Sequence, residues 1–163
     1  MGHISGAHFN PAVTIGAWVS QKIGSAHAMS YMVAQIVGGL AGALAIRLLL
    51  PETNWQAVGL GTPAVSGTLS SGQAAVIEAI LTFFLVWVIF ATAIDPEGAF
   101  GKIAGLAIGF TIVLDILMGG PFTGAAMNPA RWIGPAVVGG FYENWWVYLL
   151  GPVTGGIIAA ARE

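Results

Sequence analysis

The sequence predicts an all-α membrane protein made of two related halves, a helical bundle in which long apolar helices cross the bilayer and two short ones enter it without crossing. Three observations carry that prediction. The chain of 163 residues is 56% hydrophobic and 7% charged, whereas a soluble domain needs about 25% charged residues to build its water-facing surface. Four apolar stretches, 26–50, 72–94, 101–119 and 145–161, approach or exceed the roughly 20 residues a helix needs to cross about 30 Å of hydrocarbon. One short motif also occurs twice, in matching apolar surroundings 118 residues apart.

In chain order, the first element is the segment 11–20, apolar and helix-compatible but too short to span. It opens on Asn10-Pro11-Ala12, an Asn suited to cap the first orphan N–H groups and a Pro pre-set for the first helical position. The first span, 26–50, carries Arg47 near one end. Pro51 to Ser71 is rich in Gly, Ser, Thr, Pro and Asn and reads as an exposed loop. The second span, 72–94, leads through the tight polar turn Asp95-Pro96-Glu97-Gly98 into the glycine-rich third span, 101–119. Segment 129–140 is again short and opens on Asn128-Pro129-Ala130, and 145–161 is the last span. Backbone can begin a helix at membrane depth only where protein or a water-filled cavity receives its polar groups. A cavity at the midplane is therefore expected. Gly38/Gly42, Gly105/Gly109 and Gly151/Gly155 read as helix-crossing points, since small residues let backbones approach in lipid.

Ser5-Gly6-Ala7-His8-Phe9-Asn10-Pro11-Ala12 lines up with Thr123-Gly124-Ala125-Ala126-Met127-Asn128-Pro129-Ala130. Two spans precede Asn128 in the second half, whereas nine residues precede Asn10 in the first. The symmetry leads to the expectation that about 50 residues and two helices are absent from the start, leaving about four spanning helices of an expected six. The chain is then one partial domain, 1–163: a loop, short helix and span of the first repeat over 1–50, an extramembrane loop over 51–71, and a complete second repeat over 72–163. Repeats with an odd number of spans insert in opposite orientations, so the two half-helices meet start to start.

On these motifs, His3-Ile4-Ser5-Gly6-Ala7-His8-Phe9-Asn10-Pro11-Ala12-Val13-Thr14 and Gly120-Pro121-Phe122-Thr123-Gly124-Ala125-Ala126-Met127-Asn128-Pro129-Ala130-Arg131, the chain resembles the aquaporin (major intrinsic protein) family. Tyr31-Met32-Val33-Ala34-Gln35 and Trp146-Val147-Tyr148-Leu149-Leu150-Gly151-Pro152 extend the likeness. The resemblance implies an inverted-repeat bundle with two re-entrant half-helices, acting as a passive channel for water and small neutral solutes such as glycerol or ammonia while excluding protons and ions. It implies that Asn10 and Asn128 donate to the passing solute and that Gly6, Ala7, His8, Gly124, Ala125 and Ala126 offer carbonyl acceptors. Arg131, Ile116 and Ala125 match the outer constriction. Ile116 stands where many strictly water-selective members carry histidine, which with Ala125 suggests a wider, less polar filter. Trp132 replaces an aspartate usual in glycerol-conducting members, and Leu149 replaces an aromatic common in water channels.

Pro11 and Pro129 start the half-helices, and Gln35 does supporting work in its span. Glu78, an ionisable residue inside a span, is a functional candidate by default. The resemblance makes it an acceptor for backbone amides of a pore loop. Asp115 adjoins Ile116 and points about 100° away from it, which leaves a helix cap, a subunit face or the outer vestibule open. His3, His8 and His27 read as structural, with no metal site and no cofactor. An intramembrane enzyme pairing Glu78, Asp95 and Asp115 is the other class weighed, but Asp95 lies in a turn and no protease-like motif accompanies it. A non-conducting fragment of a channel is the nearer rival. Lys22, Lys102 and Arg162 fall on the inner side in the family topology, against Arg47 and Arg131 outside. Partners implied are water and small neutral solutes, the lipid bilayer and three further copies in a homotetramer. The net charge of -2 without a basic run gives no nucleic-acid footprint. With no cysteine anywhere in the chain, water flux through it is expected to be insensitive to mercurials that act on a pore thiol. A mercury block reversed by added thiol would contradict this.

Overall fold

The computed structural model describes residues 6–94 and 103–161; His3, the Asp95-to-Gly98 turn, Lys102 and Arg162 lie outside them. The described elements are α1 (Pro11–Val19), α2 (Ser25–Leu49), α3 (Glu52–Ala57), α4 (Ser71–Ile89, continuing as a π-turn over Phe90–Ile94), α5 (Ala104–Thr123), α6 (Pro129–Gly139) and α7 (Trp145–Ala160). Three of these, Ser25–Leu49, Ser71–Ile94 and Ala104–Thr123, are long and apolar enough to cross a membrane. The expected fourth span folds as a 16-residue helix, about 24 Å at 1.5 Å per residue. That is short of the hydrocarbon thickness. The span expected over 101–119 instead continues one turn further, through Pro121 to a left-handed Gly124 whose N–H donates to the Gly120 carbonyl.

Both short helices start as their sequence dictates. Asn10 Oδ1 accepts the Ala12 N–H at 2.9 Å, Asn128 Oδ1 accepts those of Ala130 and Arg131 at 3.0 and 3.2 Å, and a proline follows each. α4 starts with a reciprocal box, Ser70 Oγ accepting the Gln73 N–H while Gln73 Oε1 accepts the Ser70 N–H.

The halves interlock rather than sit side by side. α2 follows α1 in sequence but packs mainly on α6, while α7 follows α6 but packs on α1. The contact residues obey the repeat. A Cβ on Gly39 of α2 would meet the Ala130 carbonyl at 2.6 Å, and one on Gly156 of α7 would meet the Ala12 carbonyl at 2.8 Å. Ala12 and Ala130 are equivalent positions of the two motifs. α7 also crosses α4, where Gly151 lies on the Ala75 carbonyl and the Glu78 Cβ, and Gly155 lies on the Ala79 carbonyl. Among the expected crossing points, Gly151/Gly155 is therefore one, but Gly38, Gly42, Gly105 and Gly109 have no neighbour within 4 Å of a Cβ. The register in α2 is shifted by one residue, to Gly39, which a helix turns about 100° from Gly38.

The loop expected to be exposed is partly structured and partly buried. It holds α3 and a turn over Gly59–Gly61, and Trp55, Leu60 and Pro63 are buried against the bundle. Trp55 and Leu60 pack with Ala43 of α2 and Val138 of α6. Polar composition hid these few apolar anchors. In contrast, one face of α2 and one of α5 stay uncovered, with Val33, Val37, Leu48, Phe110, Leu114 and Leu117 exposed.

Gly155→Val should force α4 and α7 apart, because no flexible side chain can yield where the obstacle is the Ala79 main chain. Overpacking of this kind costs about 1–3 kcal/mol or more. A melting temperature in detergent lowered by several degrees is expected, and an unchanged one would refute the close crossing.

Candidate functional site: a cavity between two half-helix starts

The starts of α1 and α6 face each other and exchange hydrogen bonds. Asn10 Nδ2 donates to the Met127 carbonyl at 2.7 Å, and Asn128 Nδ2 donates to the Phe9 carbonyl at 3.0 Å. Phe9 and Met127 each precede the other motif's Asn, so the exchange is itself two-fold. Each Asn thus engages its oxygen on its own helix and one of its two amide hydrogens on the opposite loop, leaving the second hydrogen available.

The loops leading to these starts leave right-handed space. Gly6 and Ala7 have φ of 77° and 52°, and Gly124, Ala125 and Met127 have 78°, 45° and 52°. For alanine and methionine this is strained, at roughly 1–3 kcal/mol each, so the surroundings must hold it. Glu78 of α4, fully buried, does so for the second loop: Oε1 accepts the Ala126 N–H at 2.9 Å and the Thr123 hydroxyl at 2.7 Å, and Oε2 accepts the Met127 N–H at 2.7 Å. Thr123 Oγ1 in turn accepts the Ala125 N–H at 3.2 Å, and Tyr148 donates its hydroxyl to the Thr123 carbonyl at 2.9 Å. The first loop is held by Gln35 of α2, whose Nε2 donates to the His8 carbonyl and to Thr14 Oγ1, both at 2.8 Å. His8 stacks on Tyr31 with ring centroids 5.0 Å apart.

A cavity of about 860 Å³ runs past both starts. One wall is polar main chain and amide, from Gly6 to Asn10 and from Ala125 to Asn128. Much of the remaining lining is apolar, with Ile108, Ile112 and Ile116 on one stripe of α5 and Leu85 and Ile89 on α4. Arg131, Ile116 and Ala125 line it as well, Arg131 Nη1 donating to the Gly61 carbonyl at 3.3 Å; Lys22, Ile23, Ile94 and Ala104 also line the cavity.

Of the residues singled out from the sequence, Asn10, Asn128, Arg131, Ile116, Ala125, Gly6, Ala7, His8 and Ala126 all line this cavity. Gly124 is not among its lining residues; a Cβ there would meet Pro63 at 2.8 Å. Pro11 and Pro129 are buried at the first helical positions. His27 is exposed. Trp132 is buried, stacked on Tyr148 with centroids 5.4 Å apart, its Nε1 donating to the Pro63 carbonyl at 3.2 Å. Asp115 takes none of the three placements left open for it. It lies inside α5, buried, on the face it shares with Gly119 and Thr123 against α4, and its Oδ2 has no hydrogen-bond partner. Sequence reasoning missed Thr14, Thr123 and Tyr148. Thr14 was signalled by its place four residues after Asn10, from which its hydroxyl reaches the Asn10 carbonyl at 3.2 Å.

Comparison with known proteins converges on one family. The profile described as "Major intrinsic protein" matches residues 1–162. Nodulin-26 of Glycine max is 46% identical over 163 residues, a match covering 98% of this chain and 57% of that protein. Aquaporin TIP1-2 of Zea mays is 46% identical over 159 residues, covering 97% of this chain and 61% of that protein. The chain thus spans about three-fifths of the length of these relatives. The X-ray structure of the aquaglyceroporin from Plasmodium falciparum superposes with a TM-score of 0.85 at 24% identity, covering 98% of this chain and 72% of that one, a likeness of fold. With paired Asn-Pro-Ala starts meeting across a cavity, a matching fold and a profile running nearly end to end, the chain belongs to the major intrinsic protein family, whose aquaporins are channels rather than enzymes, and is an integral multi-pass membrane protein.

Proposed function

We propose that the chain forms a passive pore for water and small neutral solutes, glycerol and ammonia among them, that excludes protons and ions and works as a homotetramer with one pore per copy. The observation that carries the reading is the reciprocal meeting of the Asn10 and Asn128 helix starts inside the cavity. Each helix start carries about +0.5 of an elementary charge, so the middle of the cavity is electropositive and repels cations. Pore width, hydrogen-bonding groups and half-helix dipoles are the levers of aquaporin-type selectivity. A solute oxygen that accepts from the free amide hydrogens of both Asn side chains turns its own donors towards the loop carbonyls. Water held so cannot pass a proton along its file.

Arg131 presents a fixed cation to the cavity that Ile116 and Ala125 also line, and the family resemblance assigns these three to the outer constriction. An apolar isoleucine and a methyl group there favour solutes larger than water, in line with the aquaglyceroporin name of the structural neighbour. The rival reading is a chain that does not conduct by itself, which the uncovered faces of α2 and α5 and the 70% exposure of Phe9 favour.

Osmotic shrinkage of proteoliposomes tests both. Vesicles holding the 163-residue chain are compared with vesicles holding the longest reading frame that contains it, and both with protein-free vesicles. Faster water exit with the chain itself, while an internal pH dye reports a retained proton gradient, is the expected result. Acceleration by the longer frame alone would make the chain an incomplete channel, and acceleration by neither would overturn the pore.

Glu78→Gln tests the support of the second loop. Glutamine offers one acceptor oxygen where the carboxylate uses two, so at least one of the Ala126 and Met127 N–H groups loses its partner. A buried amide left so costs about 1–3 kcal/mol. A melting temperature lower by several degrees, with reduced water flux per inserted copy, is expected; unchanged values for both would remove Glu78 from that role.

A further inference from the structure

We propose that Arg47, in the last turn of α2 and away from the cavity, is a positioning residue for Arg131 and thereby for the pore's choice between water and larger solutes. The proposal rests on the channel reading above. Its basis is that one guanidinium touches both parts of the frame around Arg131.

The first part is α6, the half-helix that carries Arg131 in its first turn. Arg47 Nη1 crosses from α2 to the Val138 carbonyl at 2.6 Å, in the last turn of α6. The final carbonyls of a helix have no partner within it, and a cation there also meets the negative end of the dipole. Arg47 therefore pins the far end of the helix whose near end is pinned by Asn128.

The second part is the turn that contacts Arg131 directly. The Arg47 guanidinium carbon lies 5.1 Å from the centroid of the Trp55 ring, within the range of a cation–π contact. Trp55 packs against Leu60 in a cluster that Ala43 and Val138 complete. Gly59, Leu60 and Gly61 have φ of 55°, 54° and 72°, and a leucine keeps left-handed backbone only where packing imposes it. That turn aims the Gly61 carbonyl at Arg131 Nη1, at 3.3 Å. Loss of the ring's upper contact loosens the Trp55–Leu60 packing and so the carbonyl on the filter arginine. The planar guanidinium can stack and donate at once, which a lysine ammonium does less well. The plain alternative, an arginine reaching the interface to anchor the end of a span, predicts no effect on selectivity.

The experiment compares water and glycerol permeabilities of vesicles carrying the parent chain, Arg47→Ala, Arg47→Lys and Trp55→Ala, each normalised to inserted protein, in the reading frame that conducts. Arg47→Ala and Trp55→Ala should change the glycerol-to-water ratio by roughly threefold or more, the scale of couplings carried through packed neighbours. Arg47→Lys should fall between them and the parent. If both permeabilities drop together at a constant ratio, Arg47 is an anchor and the proposal is overturned.

Should no frame conduct, the channel reading fails, and a second measurement still decides the role of Arg47. The chain has no cysteine, so Thr62→Cys gives a single thiol beside Gly61. Its reaction with a membrane-impermeant maleimide should be several-fold faster in the Arg47→Ala background, because the turn is no longer held. Equal rates would overturn the proposal whatever the flux.

Discussion

The reciprocal bonds between the two helix starts are the constraint on which the structure turns. A helix that begins in the middle of a membrane exposes N–H groups that lipid cannot satisfy; here each start gives some of them to the oxygen of its own Asn, and the amide of that Asn reaches across to the opposite loop. Asn10 and Asn128 cap their own helices and donate to the carbonyls of Met127 and Phe9. Each motif is therefore incomplete without the other. The interlocked packing follows: α2 lies on α6 through Gly39 and Ala130, and α7 lies on α1 through Gly156 and Ala12. This packing accompanies hydrogen bonds between residues 117 and 119 positions apart in the chain.

The two loops are equivalent by symmetry but are held differently, and the difference has a chemical consequence. Glu78 accepts from the second loop's N–H groups, whereas Gln35 donates to the first loop's His8 carbonyl. A carboxylate is an acceptor only, so it binds the donors of its loop and leaves the carbonyls for other uses. An amide on the first loop engages a carbonyl instead. The second loop is also reinforced by Thr123, Tyr148 and Pro63, and it is the loop with three left-handed residues, Gly124, Ala125 and Met127. Strain and support are concentrated together, on the side where Arg131 stands.

The elements that the sequence made legible are those whose signal is local. Asn followed by Pro at the head of an apolar run marks a helix start wherever it occurs, and two of them at a fixed offset disclose the repeat. The features it hid depend on which way a helix is turned or on what lies above a loop. Gly38 and Gly39 cannot be told apart by spacing, yet one lies on the Ala130 carbonyl and the other has no neighbour. Trp55 and Leu60 sit in a stretch whose composition says loop, and only the nearness of Ala43 and Val138 buries them. The angle of Asp115 from Ile116 leaves its surroundings open, and its burial comes from α4, against which α5 packs.

Three charged groups of this bundle are met by main chain. Glu78 accepts from Ala126 and Met127 N–H groups, Arg47 donates to the Val138 carbonyl and Arg131 donates to the Gly61 carbonyl. A carboxylate beside Arg131 would satisfy its hydrogen bonds equally well and would also cancel its charge. A carbonyl supplies the bond and only a partial charge, so the arginine is oriented while its field still reaches the cavity. At the centre the helix starts contribute partial positive charge, while the Glu78 carboxylate accepts from the Ala126 and Met127 N–H groups just before the second start. An ion pair at Arg131 would hold its loop as firmly and, on the proposed channel reading, would lower the positive potential set against a cation. On the proposed channel reading, satisfaction by backbone lets Arg131 be held in place without losing the charge that selectivity needs.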